Sequence, residues 1–409
     1  MIKGEKNQNE IYLIVDRPLD KRFWNHWLIK SYSQIYGEPT DLVILQTTYV
    51  HDFLKKQRII SPPDRNIKLR TFESEEELID FIELRVAASS LIFFYMWTGI
   101  NNYLRLFKLI DDKVNDYFYI MHGAGDIALE TIEPGDWFEK GINFCRKLLY
   151  LTKMKFQYRG PRLLLDVTEG RLLSQYPCSS KPFKFYSMPL GWRTKIKKTG
   201  NHVIEEIINF KRKENRLPLK NGKKILWLDQ NLPNVNQFGY SFDMDSNKYY
   251  SGLSNLFKHF KSKGYEILFT LHPDTTEETK REKILPILSE NALLSEKSSL
   301  EVTLEVDFVM THDSTASYFA IYHDIPIINL YYRDQNDDYF NSSILAFNKA
   351  IGSPLVYFDN LSFDDFDLNT VSLDPIKYNH FKDKYINGEK NGVTPSNYMI
   401  DLIKNVIGN

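Results

Sequence analysis

The sequence predicts an α/β protein made of two doubly wound domains, residues 1–190 and 191–409, facing a central cleft. Three observations carry this expectation. At 409 residues the chain exceeds one ordinary core and suits two of roughly 200 residues each. Short apolar runs alternate with helix-like stretches, as in a parallel sheet covered by helices on both faces. That alternation runs twice, once from the N-terminus and again from about residue 190.

In the first half, "IYLIVD" (11–16) reads as a strand, and "WNHWLIKSYSQIYG" (24–37) as a helix ended by Gly37. "DLVILQTT" (41–48) and "IKLRTF" (67–72) are the next strands. Ser74 and Glu77 are spaced as a capping box and open a helix. "LIFFYMW" and "YFYIMHG" complete the set. The strands are apolar almost throughout, which suits a sheet buried on both faces. Residues 127–190 show no clear pattern beyond a helix-like piece near 137–155 and form the outer part of the first domain.

In the second half, residues 202–219 read as a helix, "KKILWLDQN" (223–231) as a strand, and 249–264 as a helix ended by Gly264. The strand "YEILFTLHP", a largely helical "DTTEETKREKILPILSE", the strand "VDFVMTHDS", a short helix and the strand "IPIINLYY" follow.

Composition excludes several partners. Lys plus Arg total 52 and Asp plus Glu 53, so no global field points to nucleic acid or an acidic membrane. The basic cluster Arg193, Lys195, Lys197 and Lys198 reads as a solvated face. Cys145 and Cys178 are the only cysteines, too few for a disulfide framework and without metal-ligand spacing. The polar start carries no secretory core, and the most apolar run (86–97) is too short to span a bilayer. The expected location is the cytoplasm, with peripheral work at the inner face of its membrane left open. No metal is expected. The acidic stretch 357–369 lacks calcium-loop spacing, and "DMD" (243–245) lies in a loop-like stretch.

The candidate chemistry gathers at strand ends. Asp229 ends "ILWLD", His272 ends "ILFTL" and is followed by Pro273, and Asp313, Ser314, Thr315 and Ser317 follow "DFVMTH". Parallel strands bring their carboxyl ends to one edge, so these residues are expected to share a pocket. His272 offers a hydrogen bond or a charge to phosphate, or merely caps a loop. The hydroxyl residues open a helix whose free N–H groups suit an anion, or form a plain N-cap. Asp229 can orient substrate, act as base or nucleophile, or cap a turn. In the first half His122 and Asp126 of "HGAGD" are candidates for acceptor-side acid/base work, a structural turn being the alternative. The stretch lacks the dinucleotide fingerprint.

With "LHP", "HDSTAS" and "LDQNLP" in place, the second half resembles bacterial surface-polysaccharide glycosyltransferases of the GT-B type, with two Rossmann-like domains. The His-Pro and Ser/Thr motifs are similar to those of sialyl-, polysialyl- and Kdo transferases. The resemblance implies that His272, Pro273, Asp313, Ser314, Thr315 and Ser317 bind a CMP-activated donor, and that Asp229 is the nucleophile of a retaining β-Kdo transferase-like reaction. It covers roughly residues 220–330, and the first half mainly by architecture. "MHGAGD" departs from the acidic pair that supplies the base in sialyltransferases. The implied function is transfer of Kdo or a related ulosonic acid onto a lipopolysaccharide or capsule acceptor, with no further cofactor. A CDP-glycerol-type phosphotransferase, a sugar-nucleotide epimerase on the same fold and a non-catalytic nucleotide-binding subunit are the alternatives.

Overall fold

The computed structural model describes residues 10–17, 19, 21–24, 27–36, 40–49, 52–55, 62–96, 103–120, 159–166, 193, 195–200, 202–213, 223–234, 236–237, 240–241, 244–273, 275–332, 338–359, 366–387 and 392–408. They fall into two compact units.

The first unit holds seven strands: β1 Glu10–Val15, β2 Asp41–Thr47, β3 Ile67–Phe72, β4 Leu91–Tyr95, β5 Asp116–Ile120, β6 Leu163–Asp166 and β7 Lys195–Lys198. All pair in parallel, in the order β3-β2-β1-β4-β5-β6-β7. Alternate residues of β1 serve opposite faces. Tyr12 and Ile14 share a core with Leu78 and Ile82 of helix Glu75–Arg85 and with Leu106, Phe107 and Ile110 of helix Leu104–Lys113. Ile11, Leu13 and Val15 share another with Phe23, Leu28 and Tyr32. The near-continuous apolar strands follow from this two-sided burial.

Several details differ from the sequence expectation. Over the helix expected at 24–37 the described residues form Lys21–Trp24, Trp27–Ser31 and Ser33–Tyr36, the last two parted by a turn at Tyr32. Ser74 caps its helix by accepting from the Glu77 N–H, but the Glu77 carboxylate reaches back to the N–H of Glu73 rather than Ser74. Strand β7 carries the first sheet beyond residue 190. Arg193 is no solvated charge: its Nε–H donates to the Gly160 carbonyl at 2.8 Å and its Nη1–H to that of Asn115 at 2.6 Å. The second domain was expected to run to 409, yet helix Pro395–Ile407 belongs to the first unit. Its Met399 and Ile403 complete the core under β1 and β4.

The second unit holds β8 Lys224–Leu228, a two-residue antiparallel ribbon of β9 Asn236–Gln237 and β10 Tyr240–Ser241, then β11 Glu266–Thr270, β12 Leu293–Leu294, β13 Phe308–Thr311, β14 Ile327–Tyr331 and β15 Leu355–Tyr357. Apart from the ribbon they form one parallel sheet, ordered β12-β11-β8-β13-β14-β15. The chain winds outward from β8 to β12, then crosses to the other side of β8 with β13. The strand order therefore reverses between β8 and β13, where open α/β sheets bind ligands.

Helix Ser246–Ser262 covers one face and buries Tyr249, Tyr250, Leu253, Leu256, Phe257 and Phe260. Asp245, from the "DMD" stretch, is its N-cap and accepts from the N–H groups of Asn247 and Lys248. Gly264 follows the helix end at φ +85°, a left-handed conformation that glycine adopts without a steric penalty. The helix expected after His272 is interrupted by a π-helical turn, Lys280–Ile284, just before Pro286. A proline lacks the N–H that a regular turn needs there, and the wider turn absorbs that loss. Among the described residues no helix is long and apolar enough to cross a membrane.

Candidate functional site at the switch point of the second sheet

Strands β11, β8 and β13 are neighbours, and register fixes what lies at their ends. Leu228 pairs with Thr270, and Trp227 with Met310. Continuing each pairing past the strands sets Asp229 beside Leu271 on one side and His312 on the other. The Asp229 N–H still donates to the Thr270 carbonyl at 3.1 Å. Neighbouring strands run about 4.8 Å apart. Asp229, His272 and the 312–315 segment thus share the carboxyl edge of three adjacent strands, at the reversal of strand order.

Asp229 is buried, with 4% of its surface exposed. Neither carboxylate oxygen has a hydrogen-bond partner. Burial pushes its carboxyl up to about 7; the nearby N–H groups of Asn231 and Gln230 and the Trp227 indole pull it down without completing hydrogen bonds. Desolvation of the charged form outweighs these three donors, none of which completes a hydrogen bond. The turn that follows is fixed by Asn231, at φ +51°, a conformation asparagine tolerates well. Its buried Oδ1 accepts from the Asn234 amide at 3.0 Å and from the Tyr250 hydroxyl at 3.4 Å.

His312 lies one residue beyond β13 and is fully buried. Its Nδ1–H donates to the Leu330 carbonyl at 2.7 Å, which leaves Nε2 to accept from the Tyr249 hydroxyl at 2.8 Å. Burial pulls its pKa down to about 4, against a smaller opposing effect of that carbonyl, so the ring is neutral at pH 7. The Asn329 amide donates to the His312 carbonyl at 2.5 Å.

Gln230 and Asp313 bind each other twice. The Gln230 amide donates to Asp313 Oδ1 at 3.0 Å, and the Asp313 N–H donates to Gln230 Oε1 at 3.2 Å. The Ser343 hydroxyl, from helix Asp338–Ile351, donates to the other Asp313 oxygen.

These contacts show what the residues singled out in the sequence hold. Asp313 was expected to face the donor, but its carboxylate holds Gln230 and Ser343. Ser317 is fully buried and its hydroxyl donates to the Ser314 carbonyl at 2.6 Å. The N–H groups expected to meet an anion are largely used within the loop. That of Ser314 donates to Thr311 Oγ1, that of Ala316 to Ser314 Oγ, and that of Ser317 to the Ser314 carbonyl. The segment is a 3-10 turn, Thr315–Ser317, leading into the short helix Tyr318–Tyr322, so these three N–H groups find near neighbours. Thr315 is exposed and Ser314 half-buried. His272 is half-buried and Pro273 exposed; the His272 carbonyl accepts from the Thr275 N–H at 2.9 Å. The Thr275 hydroxyl is buried with no hydrogen-bond partner. His122 and Asp126 lie outside the described residues.

Sequence reasoning passed over Gln230, His312, Thr275 and Ser343. His312 and Gln230 stand beside residues that were chosen, in "THDSTAS" and "LDQNLP". Ser343 carries no signal in its own stretch.

No family model matches the chain, and no curated protein matches it in sequence. The chain is similar in fold to the UDP-GlcNAc 2-epimerase of Methanocaldococcus jannaschii, at 13% identity and a TM-score of 0.42 over 97% of this chain and 99% of the other. It is similar also to the wall teichoic acid polymerase TagF, at 16% identity and a TM-score of 0.46 over 98% of this chain and 89% of the other. The resemblance to Kdo and sialyl transferases stands on the motifs alone.

Proposed function

We propose that the chain is a nucleotide-sugar-dependent glycosyltransferase that binds its donor at the carboxyl edge of β11, β8 and β13. One observation carries this reading: a buried carboxyl without partners, Asp229, stands at the strand-order reversal of a parallel sheet, between His272 on one neighbouring strand end and the Ser314–Thr315 turn on the other. A carboxyl in that setting is costly to keep for structure alone.

The donor's phosphate lies against the His272 imidazole and the hydroxyls of Ser314 and Thr315. These groups meet the charge that develops as the nucleotide departs from the anomeric carbon. Loss of one such donor costs about a hundredfold in rate. Asp229 faces the reacting carbon or the proton in flight. A carboxyl near 7 is divided between its two forms at neutral pH, which suits proton transfer. Attack by Asp229 on the anomeric carbon would instead give a covalent glycosyl adduct and retention of configuration. By motif resemblance the donor is a CMP-linked ulosonic acid such as Kdo, and the acceptor a surface polysaccharide.

A thermal-shift screen with CMP, CDP, UMP, UDP and GDP tests the donor. A nucleotide that binds only the native state raises the melting temperature by mass action. CMP is expected to stabilise the protein, and CDP or UDP alone would move the donor assignment. With the donor so found, product mass separates transfer of a sugar from transfer of glycerol phosphate or epimerisation of the donor. Asp229→Ala and His272→Ala are expected to abolish transfer in a folded protein. Full activity in both overturns the site, and a mass adduct on Asp229 distinguishes attack from proton transfer.

A further inference from the structure

Two loops make the edge described above, and one pair of side chains joins them. The loop after β8 carries Asp229, and the loop after β13 carries Ser314 and Thr315. Gln230 and Asp313 close a ring of two hydrogen bonds between these loops, at 3.0 and 3.2 Å. Ser343 then fixes the second carboxylate oxygen of Asp313 from a third element. We infer that Gln230, Asp313 and Ser343 form a positioning clamp that sets the separation of Asp229 from the Ser314–Thr315 turn, without themselves touching the donor.

The geometry favours a clamp over incidental contact. Both hydrogen-bonding edges of the Gln230 amide are used, one as donor and one as acceptor, so its orientation is fixed. One of the two bonds is made to a backbone N–H, so the loop's main chain is held and not merely a side chain. The ring is part-buried, and a carboxylate there accepts bonds stronger than those between neutral groups. The residues on either side are held as well. Asn231 and His312, next in the two loops, are buried and hydrogen-bonded on their own account. Clamping at 230 and 313 therefore leaves little freedom for 229 or 314. Reacting groups must be held within a fraction of an ångström, which loops do only when tied down.

The clamp predicts an exchange of partners. Gln230→Glu sets two carboxylates face to face and breaks the ring, whereas Asp313→Asn alone can keep it, its new carbonyl oxygen accepting from Gln230 and its new amide donating to the Ser343 hydroxyl. The double variant Gln230→Glu with Asp313→Asn restores the ring. The amide introduced at position 313 then donates to the carboxylate introduced at position 230. The backbone N–H of 313 still donates to that carboxylate, and Ser343 donates to the carbonyl oxygen of the new amide. One carboxylate remains in the ring, as in the parent.

Amide hydrogen exchange over 229–231 and 313–317 tests the clamp without any ligand. Gln230→Glu is expected to exchange faster in both loops together, and the double variant to return to the parent's rates. A Gln230→Glu variant that loosens one loop only, or a double variant that does not recover, overturns the clamp. The positioning role rests on the donor site proposed above, and calorimetric titration with CMP and CDP reads it separately. In folded Gln230→Glu nucleotide affinity is expected to fall about tenfold or more, and in the double variant to recover to within about threefold of the parent. Unchanged affinity in the loosened Gln230→Glu variant reduces the clamp to a structural brace and overturns its role at the site. No nucleotide binding by the parent overturns the donor site, while the exchange measurement still decides whether the two loops are joined.

Discussion

Asp229 and His312 sit at neighbouring strand ends, and their buried states oppose one another in pH. Asp229 is raised by burial to about 7 from 3.8, so the folded chain holds its proton more firmly than the unfolded chain does. Its contribution to stability is whole below pH 3.8 and is lost as pH rises through 7. His312 is lowered by burial to about 4 from 6.5, so the folded chain resists its proton. Its contribution is whole above pH 6.5 and is lost as pH falls through 4. Each slope approaches about 1.4 kcal/mol per pH unit, with opposite sign, so the two cancel between pH 4 and 6.5. Asp229→Asn is expected to uncover the histidine: urea unfolding should show stability rising from pH 4 to 6.5 more steeply than in the parent. Parallel profiles for parent and variant would show that Asp229 is not raised. The sequence made Asp229 legible because a carboxylate directly after "ILWL" has no strand to extend. It concealed His312, because nothing local distinguishes a buried imidazole with two partners from an exposed one.

At the scale of elements, strands bounded by strong apolar runs were legible and short ones were not. Strand β6 has four residues, and β7 is "KIKK", a lysine-rich strand at the end of the sheet order. Lysines on an edge discourage pairing with other chains, and they also remove the alternation by which a strand is recognised. What seats β6 is a buried carboxylate. Asp111, on helix Leu104–Lys113, accepts from the Tyr117 hydroxyl at 2.8 Å, the Arg159 N–H at 2.7 Å and the Gly160 N–H at 2.9 Å. Two backbone N–H groups are thereby fixed just before the strand, where Gly160 takes φ +79°. Asp111→Asn cannot reproduce this, since its amide nitrogen has no lone pair for the second N–H. The variant is expected to lose about 1–3 kcal/mol in denaturant unfolding. Faster amide exchange should appear first in β6 and β7. A variant as stable as the parent would show that the carboxylate is dispensable for seating these strands.

For the whole molecule, the order of elements revealed two α/β units but not where the chain ends up. The alternation of strand and helix restarts with β8, so everything after it reads as one domain. Nothing in "PSNYMIDLIKNVI" names the sheet it will cover, since any amphipathic helix offers the same apolar stripe. The helix in fact returns to the first unit, where Met399 and Ile403 join the core that holds Ile11, Leu13, Leu91 and Phe93. The first unit is thus assembled from both ends of the chain, and its core is incomplete until the last turns are made. Ile403 is fully buried, so Ile403→Ala is expected to cost about 2–5 kcal/mol, through lost burial and the cavity left behind. The cost should be local: amide protection falls in β1, β2 and β4 while β8 and β11 keep theirs. Equal loss in both sheets would mean that this helix supports the second unit as much as the first. Protection lost in β8 and β11 alone would reverse the assignment and return the helix to the domain in which the sequence first set it.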